Sequence, residues 1–354
     1  MKLSDFDYYL PKELIAQHPL DKRDSSRLMV VDRQRKTISH NSFKDLVKYM
    51  QAGDVLALND TKVIPARIFG RKKDTAGKAE VFLTSRISSR RFRAWCRPHI
   101  KLGQEIIFDH GIFSAKMIEE GTFEFNKPVS FNGLEKIGVT PLPPYIKRIP
   151  DKKDARRYQT VYAKNYGAIA SPTAGLHFTK TLLNKIKANS VRITHLTLHV
   201  GTGTFKPVKC ADIREHIMEK EEFSIPEQTI KLIRSAKEKG RRIFAVGTTT
   251  TRALETLSDS ILYRQAHSGY TDLFIYPGYR FKVVDCLLTN FHLPKTTLFM
   301  LVCAFADKAA CRGLRAGPPE RYSRAGRDLM MQAYQEAVRR RYRFYSYGDA
   351  MLII

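Results

Sequence analysis

The apolar and polar positions divide the chain into regions of different periodicity. Arg27-Leu-Met-Val-Val31 is a run of strand formers. In Ser42-Phe-Lys-Asp-Leu-Val-Lys-Tyr-Met50 the apolar residues fall at 43, 46, 47 and 50, the spacing of one helix face. Ser42 stands where an N-cap belongs and Asp45 where its capping-box partner belongs. Asp54-Val-Leu-Ala-Leu58 predicts a further strand, which runs into Asn59-Asp-Thr-Lys-Val-Ile-Pro-Ala-Arg67.

Between about 67 and 145 short alternating runs take over: 66–69, 79–83, 92–96, 105–108, 113–117 and 122–125, with glycines at 70, 77, 103, 111 and 121 between them. Many short strands at this spacing predict a small antiparallel barrel or sandwich. Pro141-Leu-Pro-Pro-Tyr145 is a stiff connector at its far edge. From 160 onward strands and helices alternate: strand over most of 191–200, a helical pattern over 226–239 stopped by Gly240, strand at 243–246, helix from Arg252, and helix over 328–339. The apolar run 298–306 is far shorter than the roughly 18 residues of a membrane span and predicts a buried element. The fold class expected is an α/β main domain, residues 1–66 and 146–354, with an inserted all-β, barrel-like second domain at 67–145. Residues 307–325, rich in Arg, Ala, Gly and Pro, carry no core-forming period and predict a flexible basic insertion.

Composition narrows the function. The chain has 354 residues, 43% of them hydrophobic, enough for two packed domains. The polar N-terminus lacks a secretion signal, so a cytoplasmic location is expected. Five cysteines without a CxxC pair fit isolated thiols, and no spacing suggests a metal site. The 61 basic and 35 acidic residues give a net charge of +26, which favours a polyanionic partner. Basic clusters include Arg91, Arg93 and Arg97; Lys147, Arg148, Arg156 and Arg157; and Arg341, with Tyr145, Tyr158 and Tyr342 beside the last two. Tyrosines flanking basic runs suit unpaired RNA bases, and no amphipathic anchor points to a membrane.

Polar segments at the predicted element ends are the candidate chemistry. Val246-Gly-Thr-Thr-Thr-Thr-Arg252 joins a strand to a helix, which suits an anion or a ribose hydroxyl at the helix N-terminus, although the P-loop spacing is absent. Arg252 and Glu255 lie three apart and are placed to pair. Ser171-Pro-Thr-Ala-Gly-Leu-His177 has the same logic: Ser171 or Thr173 is expected to cap a helix continuing through Ile186, with His177 in its first turns. His195 and His199 are spaced to share a strand face, shortly before Gly201 and Gly203. Asn290, His292 and Lys295 sit on a loop pinned by Pro294, and Asp349 and Tyr347 fall in an aromatic C-terminal segment of strand character. From spacing and charge alone the reading stops at a basic α/β enzyme acting on RNA.

At these segments the chain resembles the S-adenosylmethionine:tRNA ribosyltransferase-isomerase family of queuosine biosynthesis. The resemblance rests on Tyr9-Leu-Pro-Lys-Glu-Leu-Ile-Ala-Gln-His-Pro19, Lys22-Arg-Asp-Ser-Ser-Arg27, Leu58 to Arg67, Pro172-Thr-Ala-Gly-Leu-His-Phe-Thr179, Leu196-Thr-Leu-His-Val-Gly201, Thr289-Asn-Phe-His-Leu-Pro-Lys295 and Tyr342-Arg-Phe-Tyr-Ser-Tyr-Gly-Asp-Ala350. It implies transfer and isomerisation of the ribosyl moiety of S-adenosylmethionine onto 7-aminomethyl-7-deazaguanine at the tRNA wobble position. The product would be epoxyqueuosine, with adenine and methionine released. S-adenosylmethionine is then a consumed substrate, no other cofactor or metal is implied, and a monomer is expected. The base and acid of such a reaction are expected among His177, His199, Asp60, Asp349 and His292. Asn59, Thr248, Arg252 and Glu255 are expected to hold ribose and methionine. Arg67 and Lys295 would meet phosphate or carboxylate, and Thr173, Gly175, Gly201, Gly203, Asn290 and Tyr347 would line the pocket. The basic clusters above would contact tRNA. The family passes almost directly across the place of 307–325, which makes that stretch a departure. The rival readings are an S-adenosylmethionine-dependent RNA methyltransferase and a non-catalytic tRNA-binding protein.

Overall fold

The computed structural model describes residues 1–108, 111–201, 203, 207–257, 266–307 and 324–354. Of the expected insertion, 308–323, with Cys311, lies outside the described residues, as do Thr202 and residues 204–206 of the glycine-threonine segment.

The chain opens with Arg27–Asp32 (β1), Thr37–Ser42 (β2), Val55–Asn59 (β3) and the short Thr61–Val63 (β4). It then builds Arg67–Lys72 (β5), Lys78–Arg86 (β6), Arg91–Arg97 (β7), Glu105–Phe108 (β8), Phe113–Glu119 (β9), Thr122–Phe125 (β10), the helix Phe131–Ile137 (α1) and Gly138–Val139 (β11). Lys152–Arg157 (α2) and Asn165–Ala168 (β12) lead back, followed by Lys180–Ala188 (α3), Arg192–Leu198 (β13), Glu221–Ile225 (β14) and Glu227–Glu238 (α4). Ile243–Val246 (β15), Thr248–Thr256 (α5), His267–Thr271 (β16), Cys286–Asn290 (β17), Thr297–Phe305 (α6), Ala325–Arg339 (α7) and Ala350–Ile353 (β18) complete the order.

The main sheet runs β16-β14-β13-β3-β15-β17-β18-β1-β2. Its centre is parallel: β3 pairs with β13 on one side and β15 on the other, and β15 pairs with β17. Both faces of these strands are covered, which explains their unbroken apolar runs. Val55, Ala57, Ile243 and Ala245 pack on one face with α4 to α7, while Leu56, Leu58, Phe244 and Val246 pack on the other with α3 and the 43–49 turn. α6 is apolar on all sides because nearly every residue in it is buried.

The second sheet runs β11-β5-β6-β7-β10-β9-β8, and pairing of β5 with β8 closes it into a barrel. Alternation in β7 sends Phe92 and Ala94 inward and Arg91, Arg93, Trp95 and Arg97 outward. The architecture is thus the expected one, an α/β body with an all-β barrel inserted.

Local details differ from the sequence reading. Residues 43–49 form a 3-10 helix rather than an α-helix. Its buried pair, Phe43 and Leu46, is three residues apart, the repeat of that tighter helix, and Asp45 accepts the Ser42 N–H at 3.1 Å. The single helix expected from 173 to 186 is broken: Thr173–His177 is a 3-10 turn, and Phe178 is extended so that its ring packs edge-on against Phe43 at 5.1 Å. Thr179 then caps α3 by accepting the Leu182 N–H at 3.1 Å. The C-terminal strand is confined to Ala350–Ile353.

Barrel closure depends on a close approach at Gly70. A Cβ there would lie 2.6 Å from the Ile107 carbonyl oxygen and 2.6 Å from the Phe108 ring. Gly70→Ala is expected to cost about 1–3 kcal/mol by overpacking the seam, seen as a lower urea midpoint of unfolding. An unchanged midpoint would show that the seam is slack.

Candidate functional site

β3 has its later neighbours β13 and β15 on opposite sides, which makes the C-terminal edge of these parallel strands a switch point where open α/β sheets bind ligands. A cleft lies there. Gly247, Thr248 and Thr249 from the β15–α5 turn, Thr289 and Asn290 from the end of β17, and Ser171 to Ala174 line it, with Tyr145, Tyr158, His292, Tyr345 and Ser346 around them. Gly247 has φ of +91°, a conformation that turns the chain abruptly from β15 into α5. The first-turn N–H groups of α5 therefore lie beside the cleft without intrahelical acceptors. The cleft measures about 60 Å³ and is partly open to solvent. The buried Ser171 Oγ has no partner among the described residues. Burial pushes the Tyr145, Tyr158 and Tyr345 phenols well above their ordinary range, so these walls are neutral.

Asn290 organises the cleft floor. Its Nδ2 lies 3.3 Å from the Tyr345 carbonyl and 3.5 Å from that of Asp349, groups that can only accept, so the amide orientation is fixed. Its Oδ1 then accepts from Thr173 Oγ1 at 2.9 Å. Its Nδ2 also meets His177 Nε2 at 3.1 Å, which makes Nε2 the acceptor and puts the ring proton on Nδ1, donated to Ser26 Oγ at 2.7 Å. Burial, assisted by Arg343 and Arg23, lowers the His177 pKa to about 3. Burial also takes His292 down to about 3, with Nε2 held 2.8 Å from Thr289 Oγ1.

The other candidates have specific partners. Asp349 accepts the backbone N–H groups of Arg27 and Arg343, each at 2.9 Å, and pairs with the Arg27 side chain at 3.1 Å. Asn59 spends both ends of its amide on Leu198, Thr61 N–H and Thr249 Oγ1, tying β3 to β13 and α5. Arg252 does not pair with Glu255: it forms a buried ion pair with Glu221, which also accepts the Gly201 N–H at 3.0 Å. Glu255 is drawn instead to the consecutive N–H groups of Lys282, Val283 and Val284 at 2.8–3.0 Å. Burial raises its pKa even so. Gly175 lies against Tyr162, Gly203 against Glu219, and Tyr347 donates to Asp154 at 2.8 Å. Lys295 pairs with Asp7 on the surface at 2.6 Å, and Arg67 pairs with Glu80 on the barrel at 2.6 Å.

Two candidates retain open functional atoms. His199 is half-buried, receives or donates a bond at Nδ1 from Thr61 Oγ1 at 2.8 Å, and has no partner at Nε2 among the described residues. Burial lowers its pKa, opposed by Glu222 and Asp60. Asp60 directs Oδ1 to Thr197 Oγ1 at 2.7 Å and Asn165 Nδ2 at 3.1 Å, and borders a separate hollow of about 700 Å³ with Tyr162 and His195. Thr173, Thr248, Asn290 and His292 are thus gathered at the cleft, whereas Asp60, Arg67, His177, His199, Glu255, Lys295 and Asp349 do not line it. The cleft residues absent from the sequence-derived site, Ser171, Tyr145, Tyr158, Tyr345 and Ser346, gave separate local signals at most. Tyr345 owes its place to a φ of +72°.

Among the basic candidates, Arg93, Arg97, Lys147, Arg156 and Arg341 are exposed, and Arg91 is exposed but paired with Glu124. Arg148 and Arg157 are committed internally: Arg148 grips Asp154 with two bonds of 2.6 and 2.7 Å, and Arg157 donates to the Leu20 and Asp21 carbonyls.

A family profile described as queuosine biosynthesis protein matches residues 3–316 and 322–353. Of the 307–325 stretch, only 317–321 falls outside that match. The S-adenosylmethionine:tRNA ribosyltransferase-isomerases of Sulfurihydrogenibium sp. and Carboxydothermus hydrogenoformans are similar to the chain at 49% and 47% identity, with 100% of each chain covered. A crystal structure of S-adenosylmethionine tRNA ribosyltransferase from Thermotoga maritima is 37% identical, with 99% of this chain and 100% of that one covered and a TM-score of 0.55.

The depressed histidine pKa values set a pH dependence. Below the unfolded value of about 6.5 the unfolded chain binds protons that buried His177 and His292 refuse, so stability falls as pH drops toward about 3. At pH 5 the loss is about 2 kcal/mol per histidine. His177→Gln should flatten the decline in urea-measured stability between pH 7 and 5 by about that amount. An unaltered decline would mean that His177 is protonated in the folded state.

Proposed function

Because the chain belongs to the queuosine biosynthesis protein family, we propose that it transfers and isomerises the ribosyl moiety of S-adenosylmethionine onto 7-aminomethyl-7-deazaguanine at the wobble position of tRNA, giving epoxyqueuosine-tRNA and releasing adenine and methionine. The observation that carries this reading is the convergence of three distant signature segments, 171–174, 247–249 and 289–292, on one cleft at the sheet's switch point. The family relationship supports this reaction, and the cleft is where we assign it. We assign the α5 N-terminus, Thr248 and the Ser171 Oγ, unpartnered among the described residues, to the polar groups of S-adenosylmethionine. Neutral tyrosine walls suit the sugar and base. A ligand of that size seats one end in the cleft and extends outward, where the exposed arginines favour the polyanion.

The chemistry needs a base for the C5′ proton, acidified by the adjacent sulfonium, and a proton donor for departing adenine. Of the five candidates, we assign the base to His199, which directly precedes the cleft-lining Val200, because it is only half-buried and its Nε2 has no partner among the described residues. His177 and Asp349 fit positioning: one supports Asn290 and the other ties the C-terminal turn to β1. The cytosolic setting and the monomer expected from the sequence are part of this proposal.

Incubation with S-adenosylmethionine and an anticodon stem-loop carrying the aminomethyl base tests the reaction. Mass spectrometry should show the epoxyqueuosine increment, with adenine and methionine in equal amounts. S-adenosylhomocysteine would support a methyltransferase instead, and RNA binding without turnover a binding module. His199→Gln should lower turnover by about 10²–10⁴-fold while tRNA binding persists. Full turnover in that variant would remove His199 from the mechanism.

A further inference from the structure

The barrel carries an aromatic surface that the cleft does not use. Trp95 is the chain's only tryptophan, and it is 55% exposed on the outer face of β7. Its ring stacks on Phe82, the cross-strand partner on β6, with centroids 5.7 Å apart and planes 17° from parallel. Across from this pair stand the Pro141–Pro144 connector and Ile169, leaving a slot of about 400 Å³. An exposed indole beside proline rings offers two apolar walls for a flat ring.

Charge gives the slot a sign. On the same outer face, Arg67 and Glu80 neutralise each other in a two-pronged pair, with bonds of 2.6 and 3.2 Å. Arg93 and Arg97 flank Trp95 along β7 and make no side-chain hydrogen bond or ion pair among the described residues. Two open guanidinium groups around an exposed aromatic face suit a phosphate backbone with an accessible base, and duplex RNA hides its base faces in the stack.

The slot is next to the cleft along two chain segments. Pro144 lines the slot and Tyr145 the cleft; Ile169 lines the slot while Ala170 and Ser171 line the cleft. We propose that Trp95, backed by Phe82, is a stacking platform for an unpaired nucleobase adjoining the nucleotide that is modified in the cleft. This rests on the reading above in one respect, that the macromolecular substrate is an RNA loop.

The lone tryptophan is also the probe. Red-edge-excited fluorescence should be quenched saturably by an unmodified anticodon stem-loop, and left nearly unchanged by a fully paired RNA of equal length. Trp95→Ala, at an exposed site, should weaken stem-loop binding about tenfold in a mobility-shift titration, and Trp95→Phe should retain most of the affinity. Unquenched fluorescence at saturation overturns the proposal, as does unchanged affinity in Trp95→Ala. Quenching by a proline-rich peptide but not by RNA overturns it in favour of a protein partner. Quenching without any ribosyl transfer leaves the platform standing and removes the reaction. Normal transfer by Trp95→Ala with an unchanged KM for tRNA does the reverse.

Discussion

One buried side-chain amide fixes the geometry of the cleft. Asn290 stands at the end of β17 and reaches the 3-10 turn at 173–177 through Thr173 and His177, and the C-terminal turn through the Tyr345 and Asp349 carbonyls. Segments separated by more than a hundred residues meet at this group. In a low-dielectric site every one of its bonds matters, because an unsatisfied buried amide costs about 1–3 kcal/mol. The orientation of the amide then dictates the tautomer of His177. A histidine that reads as a reactive candidate in the sequence becomes part of the support for the cleft floor.

The same logic extends outward from the floor. Asn59 joins β3 to β13 and α5, so the strands flanking the switch point cannot shift independently of the α5 N-terminus. Asp349 fastens the C-terminal turn to β1, and Glu255 fastens the 282–284 backbone to α5. These carboxylates and amides are occupied by the protein itself, whereas Ser171, Thr248, His199 and Asp60 keep a side-chain oxygen or nitrogen without a partner among the described residues. The barrel adds a different kind of surface: its core is closed and apolar, and its outward face presents rings beside Arg93 and Arg97, whose side chains are unpaired among the described residues.

Much of this was legible in the chain. The change from helical and buried-strand patterns to short alternating strands after 66 marks the barrel, because a half-exposed strand must alternate while a strand covered on both faces need not. The apolar run at 298–306 reads as buried for the same reason. Side-chain pairing was harder to see. Arg252 and Glu255 sit at helical spacing, yet tertiary partners 31 and 27–29 residues away outcompete that local pair. The 173–186 segment looks continuous because nothing local reveals that Phe178 is needed against Phe43. Polar residues at element ends identify the neighbourhood of the site, but their division between support and chemistry depends on partners distant in sequence.

We propose that the cleft between the α5 N-terminus and Asn290 receives S-adenosylmethionine. A crystal structure of the protein with a non-reactive analogue bound tests it most directly. The predicted result is density in that cleft, with Ser171 Oγ and the first-turn amides of α5 within hydrogen-bond distance of the ligand. Density in the Asp60–His195 hollow, with the cleft empty, would contradict it.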